Sequence, residues 1–108
     1  MFEWLSTYVV DEKYYGEWEE SNKINEILLS HQFTIKDKVF HKFSNGAYTI
    51  AVILGESHCV LHTYPEDNIV YVNVFSCKDN LDVGLLSEQV GEMIGGRITQ
   101  SHWISRHV

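Results

Sequence analysis

The segment LGESHCVLHTYPE, residues 54–66, places a glutamate, a serine and two histidines in an otherwise apolar run. Such groups are costly to bury, so they raise the question of a chemical role. His58 and His62 are four residues apart, a spacing that on a helix would allow both to bind one metal ion. On a strand the same spacing is about 13 Å, whereas zinc needs each nitrogen within about 2.1 Å. Because the surrounding residues indicate a strand, we expect no metal site.

Ser57 is a candidate nucleophile, although it lacks the G-x-S-x-G turn of the hydrolases and no aspartate nearby is obviously paired with a histidine. A serine hydroxyl can instead attack the carbonyl of its own preceding peptide. The amide becomes an ester, and β-elimination then cuts the chain and leaves a pyruvoyl group on the new N-terminus. A pyruvoyl carbonyl forms a Schiff base with a substrate amine and acts as an electron sink. Such a site also needs a base and a proton donor.

Three segments together match a known family. GESHCVLHTYPE followed by VYVNVFSC resembles the prokaryotic S-adenosylmethionine decarboxylases, whose pattern is ESH-x3-HT-[WY]-PE and then a VFTC-type strand. The segment FHKFSNG, residues 40–46, resembles the histidine-x-phenylalanine segment of that family. The resemblance covers about residues 40–78, and the two ends of the chain match only in the order of their elements.

The resemblance implies self-cleavage between Glu56 and Ser57. Residues 1–56 would then be the β chain and residues 57–108 the α chain of a single pyruvoyl-dependent decarboxylase domain. Ser57 would become the pyruvoyl cofactor and form the Schiff base.

The remaining site residues are also taken from the resemblance. His62 would transfer protons during processing, Thr49 would assist processing where the family usually has serine, and Cys77 would protonate the carbon left by departing CO2. Phe43 would stack on the adenine ring of the substrate. Glu66 would hold the ribose hydroxyls, since a carboxylate accepts two O–H donors.

Two positions depart from the family pattern. Asn73, which we include among the substrate-binding residues, stands where the family usually has aspartate, and Lys78 stands where it has glycine. The first expectation is an S-adenosylmethionine decarboxylase of spermidine synthesis. The alternatives are a pyruvoyl-dependent L-ornithine or L-arginine decarboxylase, and a non-catalytic relative that acts as a binding module.

Composition narrows the class of protein. The chain has 108 residues, no run of about 18–20 apolar residues, and a formal net charge of -7, which disfavours a nucleic-acid partner. It begins without a signal-peptide pattern, so we expect a cytoplasmic protein without a membrane segment. Cys59 and Cys77 form neither a CxxC pair nor a zinc spacing, and no disulfide is expected. The resemblance further implies a homodimer of cleaved protomers with sites near the interface.

The hydrophobic pattern predicts an α+β fold, a two-layer α/β sandwich in which an antiparallel sheet packs two helices on one face. The predicted strands are 2–10, 33–43, 47–55, 58–64, 68–77 and 97–105, and the predicted helices are 16–31 and 84–96.

A regular strand from residue 57 would point Ser57 and His62 to opposite sides of the sheet. They could meet only if the backbone of 55–57 turned sharply or bulged, for which Gly55 is suited.

Overall fold

A computed structural model describes residues 1–10, 20–78 and 80–106. The elements follow in the predicted order β-α-β-β-β-β-α-β. The strands of this part of the chain are β1 (Phe2–Val10), β2 (Ile35–Lys42), β3 (Tyr48–Leu54), β4 (Ser57–Tyr64), β5 (Ile69–Ser76) and β6 (Gly96–Ser105), and its α-helices are α1 (Glu20–Ser30) and α2 (Val83–Ile94). Residues 16–19 of the first predicted helix lie outside the described residues.

The strands form one antiparallel sheet in the order β2-β3-β4-β5-β1-β6. Sequential hairpins place β2 to β5 side by side, and β1 inserts between β5 and the final strand β6. The N-terminal strand is therefore internal to the sheet, while β2 and β6 are its edges.

Strict alternation of burial shows which face of the sheet is covered. In β3, β4 and β5 every second side chain is buried, and these side chains pack against the apolar stripes of the two helices. Ile24 and Leu28 supply the stripe of α1, and Leu86, Val90 and Ile94 that of α2. The predicted two-layer α+β sandwich, with both helices on one face, is confirmed. We call this side the helix face and the opposite side of the sheet the outer face.

Helix α2 ends where the sequence predicted a stop. Asp82 accepts a hydrogen bond from the backbone N–H of Leu85 at the start of the helix, and Gly95 closes it in the left-handed region with φ 66°. Gly96 then begins β6, one residue before the predicted start of that strand at residue 97. A Cβ there would lie 2.7 Å from Val10 Cγ1, so the close approach of β6 to β1 requires glycine.

Neither α-helix of the described ranges is long and apolar enough to cross a membrane.

Leu61→Ala tests the core. Leu61 is fully buried at the centre of β4, so its truncation should lower the free energy of unfolding by about 2–5 kcal/mol. Urea denaturation followed by circular dichroism measures this, in a Ser57→Ala background so that one intact chain is compared. Leu29→Ala, on the exposed side of α1, is the control and should change stability by less than about 1 kcal/mol. Equal losses in the two variants would contradict the placement of β4 in the core.

Candidate active site

The hairpin between β3 and β4 contains the predicted cleavage bond. Its ladder places Leu54 opposite Ser57, so only Gly55 and Glu56 form the loop. Glu56 adopts a left-handed backbone with φ 58°, a conformation that costs a residue with a side chain roughly 1–2 kcal/mol. The positive φ lies at Glu56 and not at Gly55. The residue before Ser57 is therefore held in a strained conformation by the register of the two strands on either side.

Cys77 meets this bond from the neighbouring strand. It directly follows β5, and its backbone N–H donates to Ser57 Oγ at 3.2 Å. Its thiol donates to the carbonyl oxygen of Glu56 at 2.9 Å. One residue thus contacts both the hydroxyl and the carbonyl on either side of the predicted cleavage point. We call Glu56, Ser57 and Cys77 the processing cluster.

Thr49 and His62 form a second group at the other end of the same two strands. They are cross-strand partners, and Thr49 Oγ1 lies 2.9 Å from His62 Nδ1 in a hydrogen bond. Both side chains are partly buried on the outer face. The pairing gives Thr49 a contact with the predicted proton-transfer residue.

The structure does not bring His62 to Ser57 within one chain. Strand β4 is regular from its first residue, so Ser57 lies on the helix face and His62 on the outer face. Five residues of strand separate their Cα atoms by about 16 Å. The turn at Gly55 reverses the chain but does not bend β4, so the bulge that would have brought Ser57 and His62 together is not found in this part of the chain.

A cavity of about 550 Å³ adjoins the Thr49–His62 pair. This volume is in the range of small-molecule sites, about 300–1,000 Å³. The Phe43 side chain is half exposed. Its ring makes an edge-to-face contact with the His41 ring, with the two ring centroids 4.7 Å apart. The described residues that line the cavity are Phe43, Ser44, Asn45, Ala47, Thr49, His62, Thr63, Tyr64, Pro65 and Glu66. Four of the predicted site residues therefore line one cavity. We call it the ligand cavity.

Asn73 lies elsewhere, in a polar chain that sequence reasoning missed. Its Oδ1 is 2.8 Å from His58 Nε2, and its Nδ2 donates to Glu3 Oε2 at 2.9 Å. Arg106 completes the chain with an ion pair to Glu3 at 3.0 Å. No motif in the sequence predicts this series of polar contacts. Its residues belong to four different strands or strand ends, and the insertion of β1 between β5 and β6 brings them together. Asn73 also borders, with His62, a smaller hollow of about 280 Å³ on the outer face.

Lys78 and Cys59 both contact the hydrophobic core on the helix face. The Lys78 ammonium lies 5.4 Å from the ring centroid of the buried Phe33. Burial raises the pKa of the Cys59 thiol to about 12, so Cys59 is an unreactive core residue. Both cysteines are free thiols. Within the described ranges, no group of three His, Cys, Asp or Glu side chains is arranged to hold a metal ion.

The chain is similar to known proteins in both sequence and fold. A model of the S-adenosylmethionine decarboxylase family matches residues 20–107. The chain belongs to this family. The S-adenosylmethionine decarboxylase proenzyme of Pseudomonas paraeruginosa is 37% identical over 93 residues, which are 82% of this chain and 53% of that protein. The proenzyme of Bacillus cytotoxicus is 28% identical over 67 residues, 62% of this chain and 52% of that protein. The chain spans about half the length of the curated relatives it matches.

A solved structure shows the same fold. The crystal structure of the adenosylmethionine decarboxylase from Aquifex aeolicus superimposes with a TM-score of 0.82 at 20% identity, covering 99% of this chain and 90% of that one. The two chains therefore share one fold. The family resemblance seen in the motifs is confirmed by the family model and by the relative from Pseudomonas paraeruginosa.

Glu56→Gly tests the strain in the hairpin. Glycine tolerates a positive φ, so in a Ser57→Ala background the change should stabilise the chain by up to about 1 kcal/mol after the entropic cost of glycine. Thermal and urea unfolding measure it. Gln32→Gly is a matched control, because Gln32 has φ 66° and lies far along the chain from the cluster. A loss of stability with Glu56→Gly, alongside a gain with Gln32→Gly, would contradict strain at this bond.

Proposed function

We propose that the chain is a self-cleaving, pyruvoyl-dependent decarboxylase that acts on S-adenosylmethionine. The observation that carries the proposal is the processing cluster, in which Cys77 contacts both the Ser57 hydroxyl and the Glu56 carbonyl. Membership of the family supports the reaction class. The self-cleavage, the substrate and a role in spermidine synthesis remain parts of the proposal.

The cluster supports the first step of cleavage. Ser57 Oγ attacks the Glu56 carbonyl carbon, and the Cys77 thiol stabilises the negative charge that develops on the carbonyl oxygen. As the C–O ester bond forms and the C–N bond breaks, the Ser57 hydroxyl proton passes to the Ser57 nitrogen, and the strained backbone of Glu56 is relieved. A base, the role that the resemblance gives to His62, then takes the Ser57 α-proton, and the Cβ–O bond breaks to free the Glu56 carboxylate. Water hydrolyses the resulting dehydroalanine to a pyruvoyl group and ammonia.

The pyruvoyl group, once formed, supplies an electron sink for decarboxylation. Cys77 stays beside the new N-terminus, because its position is fixed by the end of β5 and not by the bond that is cut. A thiol there can return a proton to the carbon that has lost CO2. Cys77 would therefore act twice, as a hydrogen-bond donor before cleavage and as a proton donor after it.

The ligand cavity favours a nucleoside substrate over a small diamine precursor. Phe43 offers an exposed aromatic ring on one wall, and Glu66 offers a carboxylate on another. An adenine ring can stack on the first, and a ribose diol can donate two hydrogen bonds to the second. Ornithine and arginine have neither an aromatic base nor a diol, so they would leave both features unused.

A homodimer explains why the two groups lie apart. The outer face exposes large apolar side chains that a second copy could cover, namely Leu5, Val9, Ile53, Tyr64 and Tyr71. A two-fold axis that lies above the outer face, parallel to the sheet and perpendicular to β4 at its midpoint, would pack two outer faces together and set the two ends of β4 opposite each other. The Thr49–His62 pair and ligand cavity of one protomer would then lie over the β3–β4 hairpin of its partner, at the end of the sheet that carries the processing cluster. We infer that each active site is shared between two protomers.

Cleavage is the first test of the proposal. The purified chain should run as fragments of 56 and 52 residues that meet at Glu56 and Ser57, as read from the sequence of 108 residues. Ser57→Ala should stay intact, and CO2 release from S-adenosylmethionine should exceed that from L-ornithine and L-arginine. Mass spectrometry that finds only an intact wild-type chain would overturn the enzyme and favour a non-catalytic binding relative. Faster release from either amino acid would overturn the substrate.

Co-expression tests the shared site. Ser57→Ala and His62→Ala chains should each remain uncleaved alone, since one lacks the nucleophile and the other the proton-transfer residue. Mixed dimers place the intact His62 of one chain beside the intact Ser57 of the other, so up to about half of the His62→Ala chains should be cleaved.

The matched control pairs Thr49→Ala with His62→Ala. Both changes fall in the same half of the shared site, so no mixed dimer regains a complete one, and cleavage should not exceed that of Thr49→Ala alone. Absence of rescue in the Ser57→Ala and His62→Ala mixture, when mass spectrometry shows mixed dimers, would contradict a site shared between protomers.

A further inference from the structure

The loop between β2 and β3 has an asparagine whose side chain reaches the ligand cavity. Phe43 and Ala47 close the loop, with the Phe43 N–H donating to the Ala47 carbonyl at 2.7 Å. The Gly46 N–H donates to the Phe43 carbonyl at 3.1 Å, and Gly46 has φ 89°. This is the three-residue hairpin loop with glycine at its positive-φ position. Asn45 is the residue before that glycine.

The orientation of the Asn45 amide is determined by its two neighbours. Asn45 Oδ1 accepts the Ala47 N–H at 3.0 Å, and only the oxygen of the amide can accept it. The NH2 group therefore faces the other way, where Nδ2 donates to Glu66 Oε1 at 3.0 Å. The loop thus holds a donor of fixed direction on a carboxylate 21 residues further along the chain.

That contact constrains Glu66 without using up its capacity to bind a ligand. A glutamate side chain has three rotatable bonds, and on an exposed turn such as Pro65–Asp67 it would otherwise sample many rotamers. The hydrogen bond fixes one oxygen and hence the plane of the carboxylate. Each carboxylate oxygen accepts about two hydrogen bonds, so Oε2 and the second lone pair of Oε1 remain available to two adjacent hydroxyls.

We propose that Asn45 is a positioning residue that presents the Glu66 carboxylate to the vicinal diol of a nucleoside in the ligand cavity. The inference rests on the proposed function for its substrate class, and it adds a residue that specifies how that substrate is recognised. Preorganisation of this kind lowers the entropy lost when the ligand binds. Asn45 therefore acts through Glu66 and contributes to binding of a ligand that has both hydroxyls.

The competing explanation is that Asn45 serves the loop alone. Its Oδ1 contact with the Ala47 N–H is a side-chain turn that stabilises many loops in the same way. Two substitutions separate the roles. Asn45→Asp keeps the accepting oxygen and replaces the donor with a carboxylate that repels Glu66. Asn45→Ser keeps a turn-forming hydroxyl that is too short to reach Glu66.

The test measures binding of adenosine and of 2′,3′-dideoxyadenosine to the purified full-length chain by isothermal titration calorimetry. For adenosine, Asn45→Ser should weaken binding on the order of three- to tenfold, and Asn45→Asp should weaken it more. For dideoxyadenosine, which has no hydroxyl for Glu66 to accept, both variants should bind like the wild type. Asp67→Asn, an exposed residue of the same turn as Glu66 that does not line the cavity, is the control and should leave the ratio between the ligands unchanged.

The remaining outcomes overturn the inference. Equal loss for both ligands means that Asn45 only shapes the loop, and unchanged affinity for adenosine means that the contact with Glu66 has no role in binding. Failure of the wild type to bind adenosine also overturns it. Self-cleavage is scored separately by mass spectrometry on the same samples, so a cleaved chain that ignores adenosine would refute the role of Asn45 and leave the decarboxylase proposal standing.

Discussion

The hydrogen-bond register between β3 and β4 determines the geometry on which the rest of the candidate site depends. The two-residue loop sets Leu54 opposite Ser57, and the antiparallel ladder then sets Thr49 opposite His62. A slip of one residue would exchange the two faces of β4. Cys59 and Leu61 would leave the core and His62 would enter it. The same register that builds the hydrophobic layer therefore places each chemical group, and the apolar residues of β4 are as necessary to the site as the polar ones.

The register between β3 and β4 also explains the strained backbone conformation of Glu56. Glu56 adopts its left-handed conformation because the strands on either side pair up to the loop and leave it no other path. The cost is balanced by the burial of Leu54 and by the contacts of Cys77 with the hairpin. The strain is confined to the loop, because β3 and β4 pair without a register shift from Leu54 and Ser57 onward. The paired strands therefore hold the residue before Ser57 in a conformation that it would not adopt on its own.

Much of the fold was predictable because its signals are local. Alternating apolar residues identify the strands, Asn45 and Gly46 mark one hairpin, and Gly95 marks the end of α2. The cavity residues were predictable only through the resemblance to a family, since neither Phe43 nor Glu66 differs in type from an ordinary core or turn residue. The polar chain through Asn73 could not be predicted, because it depends on β1 entering the sheet between two strands from the other end of the sequence. Long-range pairing of that kind leaves no mark in local composition.

The order of strands has a consequence for the cleaved protein. If the chain is cut after Glu56, one piece contains β1, β2 and β3 and the other contains β4, β5 and β6. In the sheet these are not two blocks, since β1 of the first piece lies between β5 and β6 of the second. Three ladders join the fragments, namely β1–β5, β1–β6 and β3–β4, so the fragments separate only if the sheet opens. Denaturation would then release two chains whose reassembly is bimolecular, so the folding that the intact precursor achieves becomes hard to repeat. The continuity of the uncut chain would therefore help the precursor to fold, and the cleaved protein would lack that help.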